Sequence, residues 1–198
     1  MSTARPALTL RGKRFKPLDW DTMNPSQVRM VESVLTGKRG SMQGPYNVLL
    51  RSPELGDLAQ KFGAHTRFHS SLPLALNELA ILIVARSWTS QFVWWAHRAI
   101  ALEAGLDRDL IEDIAAGRAP QSLTTLPTEV AAVYGFCHEL QTNRKVSDST
   151  YAELVKHYGE AGVVDVMGTM SYYTLVSMAL NVDQYPLPEG AVAELQPL

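Results

Sequence analysis

The sequence of 198 residues contains a single cysteine, Cys137. One thiol excludes an intrachain disulfide framework, a paired-thiol redox centre and a zinc site built from several cysteines of one chain. Neither sign of charge is in excess, because 18 basic and 20 acidic residues give a net charge of −2. The charge therefore gives no indication of a nucleic-acid partner. The first residues lack the apolar run of a signal peptide, so we expect a cytoplasmic location.

Strand signals are also missing. No stretch alternates apolar and polar residues over the length of a strand, and no Asn-Gly hairpin turn occurs. Glycine-rich phosphate loops and a nucleophile elbow are absent as well. Apolar residues, which make up 46% of the chain, instead recur at spacings of three and four. This pattern predicts an all-α bundle of about seven helices.

Helix starts are marked by residues whose side chains favour the N-cap position. Asn24 precedes Pro25 and has Gln27 three residues later, which predicts a capping box. The other predicted caps are Ser52, Ser90, Asp107 and Ser147, the last for a separate helix that ends near Tyr158. The run 79–85 is apolar on every side, and its length and flanking residues favour a buried central helix over a buried strand. Because this run carries so much apolar surface, we expect a homo-oligomer.

The chain divides into three parts. Residues 1–20 are basic and irregular, and we interpret them as an arm that is disordered or laid on a neighbouring subunit. Residues 21–185 form the single domain, and the proline-rich tail 186–198 is expected to lie over its surface. The apolar stretch 162–181 is as long as a membrane span, but polar residues interrupt it and no basic flank anchors it. We therefore expect a core helix and no membrane partner.

Two residues could carry acid–base chemistry. Glu78 stands at the head of the apolar run, where a glutamate can also simply interact with the helix dipole. His97 shares a helical stripe with Val93 and Ile100, as core histidines held by one hydrogen bond often do. An imidazole beside a glutamate would instead form a unit that moves protons near neutral pH. Neither residue alone decides between these interpretations. A break at 87–90 lets the two helices fold back on each other, so we expect Glu78 and His97 to lie within contact distance in one enclosed pocket.

The spacing between Glu78 and His97 is similar to that in the signature of a known protein family. The segment runs from Glu78 through Ser90 and Val93 to His97. It resembles the core signature of the carboxymuconolactone decarboxylase and alkylhydroperoxidase D-like family, which has a glutamate, a CxxC and then a histidine four residues after the second cysteine. Here Ser90 and Val93 occupy the two cysteine positions. The resemblance covers about residues 40–185 and implies that family's helical fold and its assembly as a dimer, trimer or hexamer.

The resemblance also implies a function. Peroxidase chemistry needs a thiolate and a resolving thiol, which the two lost redox positions, Ser90 and Val93, cannot supply. What the chain shares with the decarboxylases is Glu78 and His97, which implies a cofactor-independent enzyme acting on a small carboxylated lactone or related acid. His97 would return a proton while Glu78 orients it. Arg67 or Arg86 would hold the substrate carboxylate, and the aromatic side chains of Trp94, Trp95, Tyr46 and Tyr173 would line an apolar pocket.

Two alternatives stay open at this point. One is a redox protein that acts through Cys137, and the other is a binding oligomer without chemistry. His65 and His69 lie four residues apart, a spacing that suits a metal, but no third ligand follows at a recognisable offset. We therefore expect neither a metal nor a cofactor.

Overall fold

The computed structural model describes residues 5–121 and 123–197. Within this part of the chain there are eight helices and no strand, which confirms the predicted all-α bundle. The helices are α1 (Pro25–Thr36), α2 (Tyr46–Leu49), α3 (Pro53–Phe68), α4 (Leu74–Ser87), α5 (Gln91–Glu103), α6 (Arg108–Ala116), α7 (Thr128–Asn143) and α8 (Asp148–Asp183).

Local sequence signals set several of the helix ends. Asn24 and Gln27 form the expected capping box: the side chain of each accepts the backbone N–H of the other, at 3.0 Å and 2.9 Å. Asp107 caps α6 by accepting from the Leu110 N–H. The predictions of side-chain caps at Ser52 and Ser90 are wrong, because neither side chain bonds to the first turn of its helix.

The longest helix, α8, contains a break. Gly159 has φ 64° and ψ −179°, a backbone conformation that residues with a Cβ rarely adopt. The break separates two helical segments that the sequence predicts as independent helices. The second segment carries Tyr172 and Tyr173 into the core, which positions them for the site described below.

The centre of the bundle is α4, which packs against α5, α6, α7 and α8. Residues 79–85 are all buried by these helices, as the uniformly apolar run predicts. Because the chain's own helices cover this run, it no longer argues for a partner subunit. The large apolar side chains that stay exposed lie elsewhere, for example Leu55 and Leu58 on α3 and Val164 on α8.

The described part of the basic arm lies on the chain's own helices. The carboxylate of Asp183, at the end of α8, is fully buried and accepts the backbone N–H groups of Lys13, Arg14 and Phe15 at 2.8–3.2 Å. These donors satisfy a charge that would otherwise be costly to bury. The proline-rich tail is anchored in a similar way: Leu195 is buried, and its N–H and carbonyl both bond to the Gln91 side chain on α5.

One helix among the described residues, α8, is long and apolar enough to span a membrane by length and composition. Within its apolar window, 56% of the residues are buried inside the fold. Core helices of globular proteins commonly pass this test, so the observation is weak evidence for a membrane span.

Two helical glycines provide a matched test of the packing. A Cβ on Gly63 would lie 2.0 Å from Tyr172 Cζ, whereas a Cβ on Gly135 would meet nothing within 4 Å. We expect Gly63→Ala to lower the free energy of unfolding by about 1–3 kcal/mol through overpacking. Gly135→Ala is expected to raise it by about 0.5–1 kcal/mol through helix propensity. Urea denaturation followed by circular dichroism measures both, and equal effects of the two substitutions would contradict the packing.

Candidate functional site

Glu78 and His97 meet in the core between α4 and α5. The His97 Nδ1 and Glu78 Oε2 atoms are 2.6 Å apart, and the two residues are 6% and 1% exposed. The backbone turns at 88–90, where Thr89 has φ 46°, so that α5 folds back along α4. The sequence predicts this pairing from the spacing of the two residues and from the break between their helices.

The imidazole of His97 separates Glu78 from a pocket of about 220 Å³. Its Nδ1 bonds to the glutamate, while Nε2 makes no hydrogen bond to the described residues. His97 lines the pocket and Glu78 does not. The glutamate can therefore fix the orientation and the tautomer of the ring, and Nε2 is the atom that can exchange a proton with a bound molecule.

The pocket carries positive charge. Arg39 and Arg67 line it, and no aspartate or glutamate among the described residues does. Arg67 makes no ion pair within the described part of the chain, and Arg39 donates from Nη2 to the Tyr172 hydroxyl at 3.3 Å. The Arg39 Nε is buried without a partner. Two guanidinium groups without a facing carboxylate suit a small anionic ligand.

Three tyrosines complete the polar part of the wall. Tyr173 contacts the His97 ring edge-to-face, with centroids 4.8 Å apart. Burial raises the pKa of Tyr173 above its usual range; Arg67 opposes this shift and Glu78 adds to it. Burial likewise raises the pKa of Tyr46 and of Tyr172. All three phenols therefore stay neutral near pH 7 and can donate hydrogen bonds.

The apolar part of the wall comes from α5 and α8. It is formed by Phe92, Val93, Trp95, Ile100, Val176 and Leu180. These side chains form the apolar part of the pocket surface. Ligand sites in proteins commonly combine such walls with a few converging polar groups.

Two of the predicted substrate-binding residues lie elsewhere. Arg86 ends α4 far from the pocket, because its helical position is two turns beyond Glu78. Trp94 is 1% exposed and donates its indole N–H to Glu194 in the tail, while its neighbour Trp95 lines the pocket. The assignments of Arg86 and Trp94 to this pocket are therefore wrong, and those of Arg67 and Tyr173 agree with its geometry.

Sequence reasoning missed Arg39 and Tyr172. Arg39 lies in a loop rich in turn-forming residues, where no periodic pattern indicates which way a side chain points. Tyr172 sits beside Tyr173 on α8, and only the packing of the helix shows that both reach the pocket. The Tyr-Tyr pair itself was the one signal in the sequence that could have identified Tyr172.

The positions that match the family's cysteines cannot act as a redox pair. Val93 lines the pocket, and Ser90 is buried with a hydroxyl that has no hydrogen-bond partner. Cys137 lies on α7, fully buried, and burial raises the pKa of its thiol far above the usual range. A thiol that stays protonated is a poor nucleophile.

His65 lies on α3, and His69 directly follows that helix. Their rings stack with centroids 6.1 Å apart, and both residues are exposed. No group of three or more histidine, cysteine, aspartate or glutamate side chains that could hold a metal occurs in the described part of the chain.

Comparison with known proteins adds no assignment. No family model matches the chain, and no curated protein matches it. The resemblance to the carboxymuconolactone decarboxylase family therefore depends on the spacing of Glu78 and His97 and on their flanking residues.

The Cys137 thiol provides a direct test of the redox alternative. We expect the native protein to react with Ellman's reagent far more slowly than the urea-unfolded protein, because the thiol is enclosed and protonated. We also expect no turnover of an organic hydroperoxide with a dithiol reductant. Rapid reaction of the native thiol, or peroxide turnover that Cys137→Ala abolishes, would contradict this interpretation.

Proposed function

We propose that the chain is a carboxymuconolactone decarboxylase-like, cofactor-independent acid–base enzyme that acts on a small carboxylated lactone or related acid. The observation that carries the proposal is the buried Glu78–His97 pair, whose free Nε2 lies at a pocket with two guanidinium groups and no carboxylate. An acid–base group beside an anion-binding wall is what such a substrate requires.

The reaction we propose balances without an oxidant. The bond between a ring carbon and the substrate carboxylate breaks, CO₂ leaves, and the electron pair moves into the unsaturated lactone as a dienolate. A proton from Nε2 of the His97 imidazolium then returns to carbon, and water restores the proton on His97. Glu78 stabilises the imidazolium through Nδ1. It also keeps Nε2 directed at the pocket.

The arginines and tyrosines have separate roles in this proposal. Arg39 and Arg67 orient the carboxylate, and a neutral tyrosine donates a hydrogen bond to the oxygen on which charge develops. Tyr173 suits this role because it lines the pocket next to His97 and its burial keeps the phenol protonated. The pocket of about 220 Å³ limits the substrate to a small molecule.

The catalytic pair yields a first prediction for this function. With CO₂ release from a carboxylated muconolactone as the assay, His97→Gln is expected to lower kcat by about 10²–10⁴-fold, because the proton donor is lost. Glu78→Gln keeps a hydrogen bond but loses the charge, so we expect a smaller loss. His65→Gln makes the same substitution at an exposed histidine outside the pocket and is the control. Equal activity in His97→Gln and His65→Gln would contradict the proposed role.

The positive wall yields a second prediction. Arg67→Met keeps the length of the side chain and removes its charge, so we expect KM to rise roughly tenfold or more. Arg29→Met is the matched control, because Arg29 is exposed on α1 and does not line the pocket. Steady-state kinetics measure both variants. An unchanged KM in Arg67→Met, or an equal rise in Arg29→Met, would show that the wall does not bind the carboxylate.

A non-catalytic binding protein is the second candidate, and the unpaired guanidinium groups favour it equally. The two functions separate in one measurement: a carboxylated lactone that binds the pocket without releasing CO₂ supports binding alone. The redox alternative has less support, since the pocket contains no thiol among the described residues.

Self-association and a cytoplasmic location both stay predictions. We expect a dimer, trimer or hexamer in solution, with exposed apolar side chains such as Leu55, Leu58 and Val164 available for contacts between subunits. Multi-angle light scattering across micromolar concentrations measures the mass. A monomer mass at every concentration would contradict the prediction.

A further inference from the structure

Arg86 is a buried cation without a counter-charge. The residue is 7% exposed, and no carboxylate pairs with it in the described part of the chain. Both of its hydrogen bonds use Nη1, which donates to the Gln196 carbonyl at 2.9 Å and to Thr89 Oγ1 at 3.5 Å. Its Nε is enclosed and unpartnered. Arginine is charged at any physiological pH and is almost never fully buried unless paired, so this arrangement calls for a function.

The guanidinium borders a cavity of about 300 Å³ between the end of α4, the turn after α6 and α7. Arg118 and His138 add two further nitrogen-bearing side chains to its lining, and no aspartate or glutamate among the described residues lines it. Arg118 is already paired with Asp113, at 2.8 Å. The charge of Arg86 is therefore the uncompensated one in this cavity.

The rest of the lining favours an organic body over a bare inorganic ion. Ile83 and Ile114 supply apolar walls, and the Tyr134 and His138 rings stack with centroids 5.5 Å apart and an angle of 10° between their planes. A flat aromatic or aliphatic group fits against such surfaces. The second terminal nitrogen of Arg86, Nη2, makes no hydrogen bond to the described residues and can donate to a carboxylate.

We propose that this cavity is a second binding site, and that it takes a small organic carboxylate whose charge pairs with the guanidinium group of Arg86. The site is separate from the His97 pocket, because the two cavities share no lining residue. Glu78 and Arg86 also stand eight residues apart on one helix, about 12 Å at 1.5 Å per residue. The proposal therefore does not depend on the function assigned to the His97 pocket.

The experiment uses the full chain labelled with ¹³C at the histidine Cε1 positions. Of the five histidines, His138 lines this cavity and His97 lines the other, so their NMR signals report on the two sites independently. His138→Gln and His97→Gln assign the two signals. Benzoate is the probe, benzamide is its neutral counterpart, and inorganic phosphate at equal ionic strength tests for a bare oxyanion. We expect benzoate to move the His138 signal in a saturable way, and benzamide to move it far less.

Three variants connect the signal to Arg86. Arg86→Met keeps the length of the side chain and should weaken benzoate binding at His138 roughly tenfold or more. Thr142→Trp places a bulky ring on an exposed lining position, leaves Arg86 in place and should also abolish the shift. Arg67→Met, in the other pocket, should leave the His138 response unchanged. Circular dichroism melting confirms that each variant is folded.

The proposal fails if benzoate leaves the His138 signal unmoved, or moves it equally in the native chain and in Thr142→Trp. It also fails if benzamide acts as strongly as benzoate, since charge would then not be recognised. If phosphate moves the His138 signal and benzoate does not, the site binds a free oxyanion, and the proposal of an organic carboxylate is wrong. If Arg86→Met does not fold, the Thr142→Trp and benzamide comparisons still decide between these outcomes.

Discussion

A carboxylate that is 1% exposed lies in the middle of a helical core, and its one hydrogen bond within the described part of the chain goes to His97. An isolated charge at that depth would be strongly destabilising, and a paired one is tolerated when its partner is well placed. The turn at 88–90 and the packing of α5 on α4 both serve to keep the imidazole 2.6 Å from Glu78. Replacing such a pair by apolar side chains of similar volume is often neutral or stabilising, so stability alone does not explain it. A role in the proposed proton transfer would explain why a charged pair occupies this buried position.

The same helix, α4, borders the second cavity directly and acts on the first pocket only through the contact between Glu78 and His97. Near the start of α4, Glu78 bonds to Nδ1 of His97, and His97 in turn lines the first pocket. At its end, Arg86 borders the second cavity and supports the tail through the Gln196 carbonyl. Between them, the run 79–85 is buried on all sides, so the helix is a rigid element that holds both charged residues in place. A rigid support of this kind is what precise positioning of reactive groups needs.

The sequence predicts the helical class, most helix ends and the Glu78–His97 contact, because each depends on local or near-local spacing. Capping at Asn24 and Asp107 and the apolar run are read directly from neighbouring residues. The wall of the pocket could not be predicted in this way. Arg39 comes from a loop, and its position depends on how that loop packs against α8, more than 130 positions away along the chain.

The two errors at the site have different geometric causes. Arg86 and Trp94 lie close in sequence to Glu78 and His97, but closeness in sequence does not place a side chain in the pocket. A helix turns 100° per residue, so two neighbours in sequence can point in different directions. Trp95 and Trp94 show this directly, since one lines the pocket and the other bonds to Glu194 on the tail. Arg86 lies two turns along the helix from Glu78, and distance along the axis removes it from the pocket.

Two arginines line the first pocket and no carboxylate among the described residues does, so their positive charge is left for an anionic ligand to neutralise. Arg39 and Arg67 face the cavity without a carboxylate, while the carboxylate of Glu78 is withdrawn behind the imidazole. If Glu78 lined the pocket, it would neutralise an arginine and repel an anion. Placing it behind His97 lets it stabilise a positive ring without competing for the guanidinium groups. The buried phenols add hydrogen-bond donors that remain neutral, since burial raises the pKa of each. A small anion entering this pocket would therefore meet donors on one side and a proton-carrying nitrogen on the other, which is the polarity that protonation of a carbanion beside a carbonyl requires.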